Sequence, residues 1–258
     1  MLPSVPMLSK NQLRLVQSLQ LKKYREQNRL FIAEGIKTVL EILSAHPALL
    51  KAVYAIPSFI EKNRALLSAS GVSVTEVNEE ELRKLSLQSN PNAVLAVCGF
   101  LPEAHGLVYN AEHDIAFYLD DIRDPGNLGT IIRLCDWFGM PTVFCSPNCC
   151  ELYNPKVIQA SMGAFLRVQV QYIELAALLR TQKITRVYGA VLNGQNLYQK
   201  KLSGGLMVIG NEANGISNEN MEHVSHPITI PAHPQSHAES LNAAMAASII
   251  ASEIFRQR

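Results

Sequence analysis

Three segments in the second half of the chain hold the residues best suited to chemistry, and each follows a short apolar run. Open α/β sheets gather ligands at the carboxyl ends of their strands, so the three could converge on one site. The first is DDIRDPGNLGTIIR, residues 120–133. Its Asp124-Pro125-Gly126-Asn127 is turn chemistry, Asn127 can cap the helix that follows, and Arg133 lies nearly two turns further on. Taken alone it reads equally well as a capped helix with a surface arginine. The second, VIGNEANGIS (208–217), sets Glu212 between Gly210 and Gly215. Glycines there permit positive φ and close approach of a ligand to the backbone, although a plain turn has the same composition. The third, IPAHPQSHAESLN (230–242), uses Pro231 and Pro234 to fix an irregular loop; Ser240 and Asn242 can each cap the next helix. No G-x-G-x-x-G or Walker sequence occurs, so the usual dinucleotide and nucleoside triphosphate loops are not supported. Cys145, Cys149 and Cys150 with His233 and His237 fit no compact zinc module. Asp120-Asp121 in isolation could hold Mg²⁺ or simply form a turn.

These segments need a scaffold, and the hydrophobic periodicity predicts two α/β series. The first has a helix around 13–21, a strand at 30–33, and a helix over 36–43 with Pro47 beyond its end. A strand at 52–56 stopped by Pro57 follows, then a helix at 59–67, a strand at 72–77, a helix at 79–85 and a strand at 93–100. The polar stretch LPEAHGLVYNAEH reads as a linker, giving a small domain over 1–103, a linker at 104–113 and a second domain over 114–258. The second domain is predicted to hold strands at 115–119, 142–145, 166–170, 187–192, 206–209 and 227–230, with helices over 128–138 and 240–255. The last helix is apolar on almost every side, which predicts a place in the core or at a subunit interface. Trp137 reads as a core residue.

Composition narrows the class. Of 258 residues 48% are hydrophobic and 17% charged, as in a globular protein with a substantial core. No apolar run reaches membrane-spanning length, and the opening MLPSVPMLSK lacks the form of a signal peptide. Five cysteines without framework spacing point to reduced thiols and a cytoplasmic protein. The net charge is only +1, yet residues 8–37 hold seven basic groups (Lys10, Arg14, Lys22, Lys23, Arg25, Arg29, Lys37) against two acidic ones, Glu26 and Glu34. That local excess suits phosphate contacts that position an RNA without reading its sequence; a solvated helix face has the same composition.

Together the three segments resemble motifs 1, 2 and 3 of the SpoU (TrmH) branch of the SPOUT RNA methyltransferases, over residue 115 to the C-terminus. Asn127…Arg133 with Ser161-Met162-Gly163-Ala164 is similar to the first motif, Gly210-Asn211-Glu212…Gly215 to the second, and Ile230-Pro231…Glu239-Ser240-Leu241-Asn242 to the third. The strand–helix order of the first domain and its FIAEGIK run resemble the L30e-like RNA-binding domain that many members carry. Two positions depart from the pattern. Ala213 stands where a glycine usually follows the glutamate, and the stretch from Pro231 to Ser240 is longer and lacks its usual glycine.

The resemblance implies an α/β fold whose C-terminal domain is a trefoil knot, preceded by the small L30e-like α/β domain. It implies methyl transfer from S-adenosylmethionine to a ribose 2′-hydroxyl of RNA. By analogy the extra domain favours rRNA, with tRNA or a catalytically silent RNA-binding module as alternatives. Gly210, Ile230 and Leu241 are then expected to hold the cofactor, with Leu192 and Gly194 beside them. Arg133, Asn127, Glu212, Ser240 and Asn242 are expected to form the catalytic set. A guanidinium hardly ever deprotonates, so Arg133 is expected to grip a phosphate and steady the nascent alkoxide rather than act as base. Lys10, Arg14, Lys22, Lys23, Arg25 and Arg29 are the candidate RNA contacts. A homodimer is implied, and no metal, because the reaction needs none; Asp120-Asp121 then serve as turn residues.

Overall fold

The computed structural model describes residues 8–102 and 109–258. The opening residues 1–7 and residues 103–108, which take in the first half of the expected linker, fall outside them. The chain divides into two compact units: the described part of Met1–Glu103 together with Tyr153–Gly163, and the described part of Ala104–Leu152 together with Ala164–Arg258.

In the first unit the chain runs α1 (Lys10–Ser18), α2 (Lys22–Asn28), β1 (Leu30–Glu34), α3 (Ile36–Ala45), β2 (Leu50–Ala55), α4 (Pro57–Lys62), α5 (Arg64–Ser70), β3 (Val74–Glu76), α6 (Glu79–Leu85) and β4 (Val94–Gly99). The strands form one sheet in the order β1-β4-β2-β3, antiparallel except where β2 meets β3. Val16, Leu19, Ile32, Tyr54, Leu82, Leu85, Leu95 and Val97 make the core between that sheet and helices α1 and α6. The predicted helix over 59–67 is two helices, since Asn63 has left the helical region between them. The predicted first helix ends earlier, at Ser18, because α2 begins four residues later with nothing apolar in its sequence except Tyr24 to announce it.

The second unit contains β5 (Ile115–Leu119), α7 (Pro125–Trp137) and β6 (Thr142–Cys145); the chain then contributes α8 (Pro155–Ser161) to the first unit. It continues through β7 (Gln169–Tyr172), α9 (Leu175–Gln182), β8 (Val187–Asn196), β9 (Gly205–Ile209), α10 (Asn218–Met221), β10 (His226–Thr229) and α11 (Ala243–Arg256). All strands run parallel in the order β10-β8-β9-β5-β6-β7. Strands β5, β6 and β9 are buried along their whole length, as expected of central parallel strands covered on both faces. The strand expected at 166–170 starts later, because Ala164–Leu166 forms a 3₁₀ turn.

Trp137 corrects the expectation of a core residue: it is 83% exposed at the end of α7. α7 buries Leu128, Ile131, Ile132 and Cys135 instead, a spacing that places Trp137 off the buried stripe. α11 packs against α7 and buries Ala243, Ala244, Ala247, Ile250, Ala251 and Ile254, leaving Met245 and Phe255 on the surface. No helix among the described residues is long and apolar enough to cross a membrane.

Candidate active site

Strand order sets the frame of the site. β5 and β9 lie side by side where the order of the sheet reverses, with β8 and β10 beyond β9. Their carboxyl ends deliver Asp120, Gly210, the tail of β8 and Ile230 to one edge of a parallel sheet, the place where such sheets bind ligands.

The first segment leaves β5 at Asp120, which is buried; its Oδ2 accepts the N–H of Ser217 at 2.7 Å. Asp121 follows in the left-handed region with φ 56°, and its carboxylate pairs with Arg123 at 2.8 Å. Ile122 donates its N–H to the Cys149 sulfur at 3.2 Å. A hydrogen bond from Cys145 holds the Cys149 thiol down at about 7, against the opposing effect of burial. Helix α7 opens on Pro125, whose missing N–H costs nothing at a first turn. Asp124, not Asn127, is its cap: the Asp124 Oδ1 accepts the N–H of Asn127 at 2.8 Å.

That arrangement frees the Asn127 amide for other work. Its Nδ2 makes a short hydrogen bond to the Glu212 carboxylate, and its Oδ1 accepts from Asn242 Nδ2 at 3.0 Å. Asn242 is the cap of α11, where its Oδ1 accepts the N–H groups of Ala244 and Met245 at 2.9 and 3.2 Å. The line Glu212–Asn127–Asn242 therefore ties the three segments together. Asn211 adds a second tie, donating Nδ2 to the Asp121 carbonyl at 2.8 Å.

The loop after β9 is closed by paired main-chain bonds between Asn211 and Gly215 at 3.0 and 2.9 Å. A Cβ on Gly210 would overlap the backbone of Gly215 and Ile216, which is the physical reason for glycine there. Gly215 itself sits at φ 68°. Ala213 is not among the positive-φ residues, and its N–H donates to Asn211 Oδ1 at 2.9 Å, so this departure from the family pattern fits without strain. At the neighbouring strand ends, a Cβ on Gly194 would lie 2.7 Å from Ile228 N, and Thr229 Oγ1 donates to the Leu192 carbonyl at 2.9 Å. The Leu192 and Leu241 side chains are exposed at 69% and 45%, and Ile230 is half-buried.

The hydrogen-bonded line does not take in every expected residue. Arg133 lies on α7, exposed, and makes no hydrogen bond or ion pair among the described residues. Ser240 is exposed, and the capping of α11 falls to Asn242 alone. Asp120, Asn211 and Thr229 were not singled out by the sequence for these ties. The polar residue at the end of each strand run was the available signal. The residues of the zinc reading separate, with Cys145 and Cys149 buried and His233 and His237 on an exposed loop. No group of three or more His, Cys, Asp or Glu among the described residues is arranged to hold a metal.

In the first unit, Lys10, Arg14, Lys22, Lys23 and Arg29 are exposed along α1 and α2. Arg29 lies over the ring of Phe100, 4.8 Å from its centroid, and Lys22 pairs with Glu26 at 3.6 Å. Arg25 is a correction. It is 2% exposed, and its Nη1 donates to the carbonyls of Leu19 and Gln20 at 2.8 and 2.7 Å, closing the end of α1. A guanidinium committed to helix-end carbonyls in the core is not available to RNA phosphate.

A parallel α/β unit with polar loops converging at the switch point is the class of protein that fold and site define. The chain belongs to the SpoU rRNA methylase family, whose model matches residues 114–252, while residues 10–96 match the MRM3-like substrate binding domain. It is 27% identical, over 90% of its length and 91% of the relative, to the 23S rRNA (guanosine(2553)-2′-O)-methyltransferase RlmP of Bacillus subtilis. A solved candidate RNA methyltransferase of the TrmH family from Porphyromonas gingivalis is 35% identical, with TM-score 0.82 over 98% of this chain and 100% of that one. An AdoMet-bound rRNA methyltransferase from Sinorhizobium meliloti is 26% identical, with TM-score 0.83 over 98% and 97% of the two chains.

Proposed function

We propose that this protein transfers a methyl group from S-adenosylmethionine to a ribose 2′-hydroxyl of rRNA. The observation that carries the reading is the Glu212–Asn127–Asn242 line, which joins the three family motifs at the switch point of the sheet. The relatives named for rRNA 2′-O-methylation support rRNA over tRNA as the substrate class.

The residues at the strand ends fit the cofactor. Gly210 lets the backbone of the loop after β9 close tightly, and the exposed apolar side chains of Leu192 and Leu241, with Ile230, offer cover for an adenine. Bound there, S-adenosylmethionine would supply an electrophilic methyl group. The protein's own part is to hold the ribose and stabilise the charge that develops on its oxygen. Arg133, which has no hydrogen-bond or ion-pair partner among the described residues, grips an adjacent phosphate and steadies the alkoxide. Asn127, Glu212 and Asn242 fix the loops around it, and Ser240 lines the approach of the ribose.

The exposed Lys10, Arg14, Lys22, Lys23 and Arg29 of the first unit contact RNA phosphates. The second unit is knotted, a reading supported by its likeness to SPOUT folds. Two copies pair through α7 and α11, a reading supported by Trp137, Met245 and Phe255, exposed at 83%, 58% and 55%. The protein works in the cytoplasm.

Calorimetric titration with S-adenosylmethionine tests the cofactor site. Saturable one-site binding that Gly210→Ala weakens at least tenfold is expected. Absence of binding by the wild-type protein would overturn the reading.

A further inference from the structure

A column of rings runs from the core of the first unit to its surface and ends in a cation. Phe31 of β1 is buried, and its ring meets that of Tyr153 at 5.0 Å between centroids, tilted by 33°. Tyr153 in turn stacks on Phe100, just past β4, at 3.8 Å and 15°; both of these rings are half-buried. With Tyr153 on one face of Phe100, the other face is left for the Arg29 guanidinium, which lies over the ring 4.8 Å from its centroid. The column is braced by hydrogen bonds. Phe100 donates its N–H to the Arg29 carbonyl at 3.1 Å, and the Tyr153 hydroxyl oxygen accepts the N–H of Leu101 at 2.9 Å.

Arg29 is the outermost member and is exposed. Its guanidinium makes no hydrogen bond or ion pair among the described residues, so its five N–H donors are open. The backbone there is left-handed, φ 55° and ψ 40°, at the end of α2, a position that usually falls to glycine or asparagine. A conformation that disfavours a long side chain, at a residue whose polar head serves nothing within the fold, points to a use for that head outside it. Lys51 of β2 stands on the opposite side of β4. Leu30, next to Arg29, pairs with Gly99, and a Cβ built on Gly99 would lie 3.2 Å from Lys51 Cε and 3.9 Å from its Nζ. The Lys51 ammonium is exposed and also makes no hydrogen bond or ion pair among the described residues. Two uncompensated cations therefore flank the open end of the column.

We propose that Arg29 is a stacking platform for an unpaired nucleobase of the RNA, with Lys51 on a phosphate of the same strand; this rests on the RNA methyltransferase reading above. The group that continues a column of planar side chains past a cation is planar, π-rich and negatively charged, and a nucleotide is all three. The face of the guanidinium takes the base, and its in-plane N–H donors stay free for phosphate. A duplex cannot use the platform, because its bases already stack on one another and offer only their edges. The first unit thus favours a looped or single-stranded nucleotide, a preference that positive charge along α1 and α2 alone does not supply.

Binding of the full chain to a single-stranded RNA of about 12 nucleotides, and to the same strand annealed to its complement, tests the proposal. The single strand should bind more tightly than the duplex. Arg29→Lys keeps the charge and loses the plane; it should weaken single-strand binding at least fivefold and leave duplex binding and Tm unchanged. Lys51→Gln should reduce the salt slope for the single strand by about 0.7. Equal losses on both RNAs in Arg29→Lys would make Arg29 a plain charge and overturn the platform. An Arg29→Lys protein that binds both RNAs like wild type, while the wild type methylates rRNA, would overturn the platform and leave the methyltransferase reading standing. A wild-type protein that binds neither RNA and transfers no methyl group would overturn both.

Discussion

Asn242 does two jobs with two different atoms, and substitution can separate them. Its Oδ1 caps α11 by accepting two N–H groups, while its Nδ2 donates to Asn127. Asn242→Ala removes both. Loss of the cap costs about 1 kcal/mol, within a range of roughly 0.5–2, and loss of one amide–amide bond a further 0.5–1.5 or so. The total, roughly 1–3 kcal/mol, corresponds to about 3–9 °C of Tm for a chain of this size. Asn242→Asp keeps an oxygen for the cap, and its charge suits a helix N-terminus. It loses the donor, however, and presents an oxygen to the Asn127 Oδ1. Asn242→Asp should therefore melt within about 2 °C of wild type while methyl transfer falls roughly ten- to hundredfold, since small misplacements of a catalytic loop have effects of that order. Thermal melts and transfer of labelled methyl to rRNA read the two quantities. If the Asp variant melts with the Ala variant, the capping argument is wrong. If it transfers methyl like wild type, the Asn127 tie has no part in the reaction.

Arg133→Lys keeps the charge but not the planar fork, and because Arg133 has no partner among the described residues its Tm should not move. Turnover should drop about ten- to hundredfold, an expectation that near-normal turnover would refute. Lys23→Ala should weaken RNA binding and flatten its salt dependence, whereas Arg25→Ala should destabilise the first unit by on the order of 3 kcal/mol; equal effects on RNA affinity at matched folding would contradict the different placements. Trp137→Ser combined with Phe255→Ser should shift sedimentation towards a monomer, and an unaltered oligomeric state would rule out the α7–α11 face as the interface.

Much of this arrangement was legible in the sequence, for definite reasons. Strands β5, β6 and β9 are short continuous apolar runs, and burial on both faces of a parallel sheet produces that pattern. The segments after them carried their polar residues in plain sight: Gly210 and Glu212 lie just past β9, Asn127 in the first turn of α7, and Asn242 at the start of α11. Cap identity was less accessible, because Asp124 and Asn127 are both good caps and only the position of Pro125 in the first turn decides between them. Trp137 and Arg25 were misjudged for a common reason. Residue type favours burial of the first and exposure of the second, but the rotation of α7 and the open end of α1 decided otherwise. α8 was invisible as a member of the first unit, since nothing local in Pro155–Ser161 records that it packs on β1. The Glu212–Asn127–Asn242 line, which joins residues 85 and 115 positions apart in sequence, needed the fold itself.

The central claim is chemical: methylation at a ribose 2′-oxygen of rRNA. Purified protein, S-adenosylmethionine and rRNA from cells lacking the gene should yield, after digestion and mass spectrometry, a 2′-O-methylated nucleoside. That product should be absent from the untreated RNA and should fail to form with Arg133→Ala. A methyl group found on a base, or no methylated nucleoside at all, would contradict the account.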